Sequence, residues 1–116
     1  MKVYCYERCT TCKKALKWLD TNGIKYELKD IKGDNPDLKT LKAAYKKSGQ
    51  PLKKFFNTSG QLYRSMELTK KLPDMPEDEQ LKLLASDGML VKRPLVIADD
   101  FVLLGFKENE WQEKLK

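Results

Sequence analysis

At 116 residues, with 41% hydrophobic and 34% charged side chains, the chain is expected to be one domain with a single sizeable core, and disorder is excluded. The formal charge of +6 is spread through 23 Lys and Arg interleaved with 17 Asp and Glu. No dense basic arm with aromatics appears, so no direct nucleic-acid contact is expected. Apolar runs such as 95–98 are too short to span a bilayer, and Met1-Lys2-Val3 runs straight into a strand pattern without a leader. The expected setting is the cytoplasm, with no membrane partner.

Residues 2–6 alternate, with Val3 and Cys5 on one face and Tyr4 and Tyr6 on the other, which reads as a strand. Cys5 is most simply a small buried hydrophobe there. A turn holding Cys9 leads into a helix that begins by Thr10 and runs to about Thr21. Its inner stripe is Cys12, Ala15, Leu16 and Leu19, and Asn22-Gly23 stops it. Ile24, Tyr26 and Leu28 alternate with Lys25, Glu27 and Lys29 as a second strand, completing a βαβ unit.

Asn35-Pro36-Asp37 reads as a cap, a first-position proline and a first-turn acid, ahead of a helix facing inward with Leu38, Leu41 and Tyr45. Ser48-Gly49-Gln50-Pro51 breaks it. A short helix with Leu52, Phe55 and Phe56 follows, then another over 63–70, then a linker over 73–76. Glu77-Asp78-Glu79 opens a last helix, with Leu81, Leu84 and Ala85 inward, which Ser86-Asp87-Gly88 ends. Residues 34–88 thus read as an all-helical insert, without strand candidates, between a βαβ half (1–33) and a ββα half (89–116). The second half holds strands at 95–98 and 101–104 about a tight Asp99-Asp100 turn, a break at Gly105, and a closing helix with Trp111 and Leu115 inward.

The chemistry gathers around Cys9 and Cys12. A helix N-terminus presents unpaired N–H groups and partial positive charge, which favour a thiolate. Arg8, Lys13 and Lys14 add cations, and the backbone of Thr10 and Thr11 offers N–H groups to a thiolate or oxyanion. Cys12, one turn on, is within reach for a disulfide, so the pair can cycle between dithiol and disulfide. With three cysteines and no histidine, the four ligands of a structural zinc site are not on offer, and no metal is expected.

The order βαβ, helical insert, ββα, with Cys-x-x-Cys after the first strand and Lys92-Arg93-Pro94 before the third, looks like a thioredoxin fold, an α/β frame on a mixed four-stranded sheet. That resemblance implies a cis proline at Pro94, facing the active cysteine. More narrowly, Cys9-Thr10-Thr11-Cys12-Lys13, the insert, Lys92-Arg93-Pro94-Leu95-Val96 and Leu104-Gly105-Phe106 together resemble the arsenate reductase (ArsC)/Spx family over essentially the whole chain. One branch of that family reduces arsenate with a single nucleophilic cysteine and draws electrons from glutathione and glutaredoxin. The Spx branch carries Cys-x-x-Cys as a redox switch and binds the C-terminal domain of the RNA polymerase α subunit.

In the reductases the nucleophile matches Cys9, and three arginines cradle the oxyanion. One matches Arg93. The second falls at Asn57, with Arg64 not far along, and the third at Phe106. Each lost charge-assisted contact costs about 1.5–3 kcal/mol, so efficient arsenate reduction is not expected. The resemblance therefore implies a thiol–disulfide oxidoreductase with Cys9 as nucleophile, Cys12 as resolving thiol and Arg93 holding the anionic end of the substrate. Thr10, Thr11, Lys13 and Pro94 complete the anion site. No resident cofactor is implied, and the reductant is glutathione, glutaredoxin or thioredoxin. The alternative is an Spx-like regulator whose disulfide tunes contact with the RNA polymerase α subunit, the basic insert serving as docking face.

Overall fold

Four short strands make the sheet, the central ones buried on both faces. The computed structural model, which describes residues 1–116, has β1 (Lys2–Cys5), β2 (Glu27–Asp30), β3 (Leu95–Ile97) and β4 (Val102–Leu104) in the order β2-β1-β3-β4. β1 and β2 are parallel, and β3 is antiparallel to both β1 and β4. Six α-helices accompany them: α1 (Thr10–Thr21), α2 (Leu38–Ser48), α3 (Gln61–Ser65), α4 (Leu68–Lys71), α5 (Glu77–Ser86) and α6 (Glu108–Leu115). This is the mixed-sheet thioredoxin-like frame expected from the sequence. No helix is long and apolar enough to cross a membrane.

Register explains the two cores. Val3 stands opposite Val96, and Val96 opposite Leu103, so these side chains share a face with Cys5. Cys12, Ala15 and Leu19 of α1 and Trp111 of α6 cover that face. The Trp111 ring N–H donates to the Gly105 carbonyl at 3.1 Å, so the indole is buried without an unpaired donor. Tyr4 and Leu95 point to the other face and join Ile31, Leu41, Phe55, Phe56, Tyr63 and Leu84 of the helical region. Each such large apolar side chain contributes about 1.5–3 kcal/mol on burial.

Three local readings of the sequence are corrected. The second strand begins at Glu27, where its N–H meets the Met1 carbonyl at 2.8 Å, and ends at Asp30. Ile24 and Tyr26 pack against the α1-side core ahead of the ladder, while Leu28 on the edge strand is 55% exposed. Asp37, not Asn35, caps α2, its carboxylate accepting from the Thr40 N–H at 2.8 Å. Asn35 instead donates to the Ala85 carbonyl at 2.8 Å.

The single helix expected over 63–70 is two. Tyr63 and Leu68 are both buried, yet residues five apart on a continuous helix point about 140° away from each other. The break at Glu67, whose φ of 54° is left-handed, turns both inward. The helical region holds no strand, as expected, and meets sheet-like pairing only in an isolated bridge of Phe56 with Val91.

Candidate active site

Cys9 occupies the N-cap of α1, with extended backbone (φ −88°, ψ 117°). Its N–H donates to the Tyr6 carbonyl at 3.0 Å, closing the turn after β1, and its carbonyl accepts from Lys13 at 3.1 Å as the first bond of the helix. The preceding helix N–H groups, those of Thr10, Thr11 and Cys12, therefore lie in the turn that has no intrahelical acceptor. Thr10, Thr11 and Lys13 are exposed, and Cys9 is half-buried, the most accessible of the three thiols.

Cys12 is 0% exposed, one turn inside, on the stripe that faces the sheet. Its pKa is lowered to about 6. The facing Cys5 thiol contributes most, and burial opposes it. The Tyr6 backbone, the Cys9 side chain and the positive charge of Arg93 add to the lowering. Cys5 is driven the other way, far above the ordinary thiol range, by its contact with Cys12 and by burial. All three cysteines are free, Cys5 and Cys12 buried in one cluster and Cys9 packed against it.

Arg93 approaches from the β3 side. The Arg93–Pro94 bond is cis, Pro94 is buried, and its carbonyl accepts from the Gly105 N–H at 2.9 Å. The Arg93 guanidinium lies 5.3 Å from the centre of the Tyr6 ring, with one N–H directed at the Met89 sulfur at 3.9 Å. No carboxylate pairs with it, since the ion pairs of this molecule are those of Lys29 with Glu27 and Asp34. A stacked, half-buried, unpaired guanidinium whose charge is felt at Cys12 is a cation held ready for an anion.

The other two family arginine positions are used differently. Phe106 stacks edge-on against Trp111 at 4.8 Å and lies 6.3 Å from Trp18, so it is core filling. Asn57 is held by its backbone N–H, which donates to the Leu90 carbonyl at 2.8 Å beside the Phe56–Val91 bridge, and Arg64 is exposed on α3.

An open groove of about 570 Å³ lies on the opposite, β2 side of β1. Its inner wall includes Cys5 and Cys12 but not Cys9, and its rim carries Arg8, Lys13, Leu28 and Lys32. The structure gathers Cys9, Cys12, Arg93 and Pro94, the residues singled out in the sequence, at one end of the sheet. Cys5, read as a small buried hydrophobe, is buried as expected, and the alternation that put it with Val3 also puts it under the Cys12 stripe.

The sequence pattern of the ArsC family matches residues 4–114. The YusI protein of Bacillus subtilis is 53% identical over 110 residues, covering 95% of this chain and 93% of its own. The global transcriptional regulator Spx of Enterococcus faecalis is 24% identical, over 95% of this chain and 82% of its own. A crystal structure from Streptococcus mutans, described as a possible arsenate reductase, superposes with a TM-score of 0.88 at 39% identity, over 96% of each chain.

Proposed function

The chain belongs to the ArsC family, and from that premise we propose that it is a thiol–disulfide oxidoreductase in which Cys9 attacks and Cys12 resolves. The observation that carries this reading is the ordering of the pair: an accessible thiol at a helix N-terminus, with an acidified thiol fully buried behind it.

The Cys9 thiolate attacks one sulfur of a target disulfide. A Cys9–target bond forms, the target S–S bond breaks, and the second target sulfur leaves with the electron pair. The Cys12 thiolate then attacks the Cys9 sulfur, the first target sulfur leaves, and a Cys9–Cys12 disulfide remains. The target has gained two electrons and the protein has lost two. Glutathione, glutaredoxin or thioredoxin returns them. Arg93 holds an anionic group of the target, and the first-turn N–H groups of α1 stabilise the charge on the attacking sulfur. Arsenate is a poor fit, because Arg93 stands alone where its relatives use three guanidinium groups.

The test is steady-state NADPH oxidation with a glutathionylated peptide or arsenate. One arm couples to glutathione, glutaredoxin and glutathione reductase, the other to thioredoxin and its reductase. Sustained turnover with the peptide, lost in Cys9→Ser, is the expected result. No turnover in either arm would overturn it. In that event the likeness to Spx supports the second reading, a redox-switched regulator, and retention of the RNA polymerase α subunit on the immobilised protein is the measurement that separates the two.

A further inference from the structure

Cys5 takes no part in the mechanism above, yet its placement is that of a third partner. It ends β1 on the face covered by α1, in the same buried cluster as Cys12, and Cys9 packs against that cluster from outside. Cys5 and Cys12 are both enclosed in it, at 6% and 0% exposure. A cysteine filling space at a strand end would account for the burial. It would not account for a second buried thiol in the same cluster, nor for a groove whose wall holds Cys5 and Cys12 while Cys9 lies outside.

We propose that Cys5 is a third redox thiol, which takes over the disulfide from Cys9 by exchange at Cys12 and so carries it from the Arg93 side of β1 to the groove on the β2 side. The proposal rests on the reading of Cys9 and Cys12 as a dithiol pair. The exchange starts from the Cys9–Cys12 disulfide. Cys5 releases its proton to water in the groove, and its thiolate attacks the Cys12 sulfur. The Cys5–Cys12 bond forms as the Cys12–Cys9 bond breaks, and the electron pair leaves on Cys9, which later takes up a proton. Cys5 is oxidised, Cys9 is reduced, and Cys12 stays in a disulfide throughout, so no outside oxidant or reductant enters the step. The N-terminus of α1 favours the departing Cys9 anion. Deprotonation of the buried Cys5 opposes the step and sets its rate. The outcome is a Cys9 free for a second attack while the first disulfide waits at the groove.

The experiment oxidises reduced wild-type protein, Cys9→Ser and Cys5→Ala with one equivalent of diamide. The remaining thiol is alkylated under native conditions, and disulfides are mapped by peptide mass spectrometry after acid quenching. Wild type is expected to yield Cys9–Cys12 and Cys5–Cys12 forms, with part of the alkylation on Cys9. Cys9→Ser is expected to yield an internal Cys5–Cys12 disulfide. Cys5→Ala is expected to yield Cys9–Cys12 alone and to lose the Cys9 alkylation. If wild type gives only Cys9–Cys12 and Cys9→Ser gives no internal disulfide, the relay is overturned and the dithiol reading stands. If wild type gives no internal disulfide at all, both fall.

Discussion

Cys12 loses its proton near pH 6, against an ordinary thiol value of 9.0, because the facing Cys5 thiol, the Tyr6 backbone, the Cys9 side chain and Arg93 favour its anion over the cost of burial. In the unfolded chain those partners are gone. A pKa depressed by folding stabilises the native state fully above the unfolded value, and the benefit disappears as pH falls through the folded value. The melting-temperature gap between reduced wild type and Cys12→Ala is therefore expected to widen from pH 6 to pH 9. A gap that stays flat across that window would refute the assigned acidity. Above it the sign reverses, because folded Cys5 keeps a proton that the unfolded chain gives up. Arg93→Ala, read by kcat/KM with an anionic target, is expected to lose about tenfold to a hundredfold, the equivalent of one charge-assisted contact. Cys9, Cys12 and Arg93 were legible because a local spacing and a local proline mark them. The ring of Tyr6 and the sulfur of Met89 that steady Arg93 were not, since those contacts exist only once β1 and the 88–90 turn are brought together.

Between elements, the tightest seam joins the end of β2 to the turn after α5. A Cβ built on Gly88 would stand 1.6 Å from the Ile31 carbonyl oxygen and 2.9 Å from the Asn35 side chain. Backbone on one side leaves nothing to swing away, so Gly88→Ala is expected to cost several kcal/mol in chemical denaturation, the range reserved for severe core disruption. A loss under about 1 kcal/mol would show that the two segments separate easily. In the sequence Gly88 reads as a helix stop, which it is; the close approach is a fact about residues far apart and leaves no local mark. The same holds at Glu67, where nothing in Ser65-Met66-Glu67 announces a break. Only the joint burial of Tyr63 and Leu68 demands one. By contrast βαβ and ββα were legible, since alternation and stripes are local and the loops between them are short.

For the whole molecule, the two cores lie back to back on one thin sheet. Tyr4 and Leu95 anchor the helical region, while their chain neighbours Val3 and Val96 anchor α1 and α6. Neither layer can leave without stripping a face from the other's strands. The whole of 1–116 is therefore expected to unfold as one unit. Both tryptophans, Trp18 and Trp111, sit on the α1–α6 side, so their fluorescence reports that layer, whereas far-UV circular dichroism weighs heavily on the helices of the opposite one. Coincident urea transitions by the two probes are expected, and a separated pair would mean that the helical region is a domain of its own.

The contact between Ile31 and Gly88 also bears on how such a chain is assembled. The helical region leaves the frame and returns to it at a single point in space, like a bead tied on by one knot. A bridge of a few residues across that point would join the βαβ and ββα halves, but it would bare the sheet face that Tyr4 and Leu95 present to the helical region. The knot itself admits glycine on one side and little else.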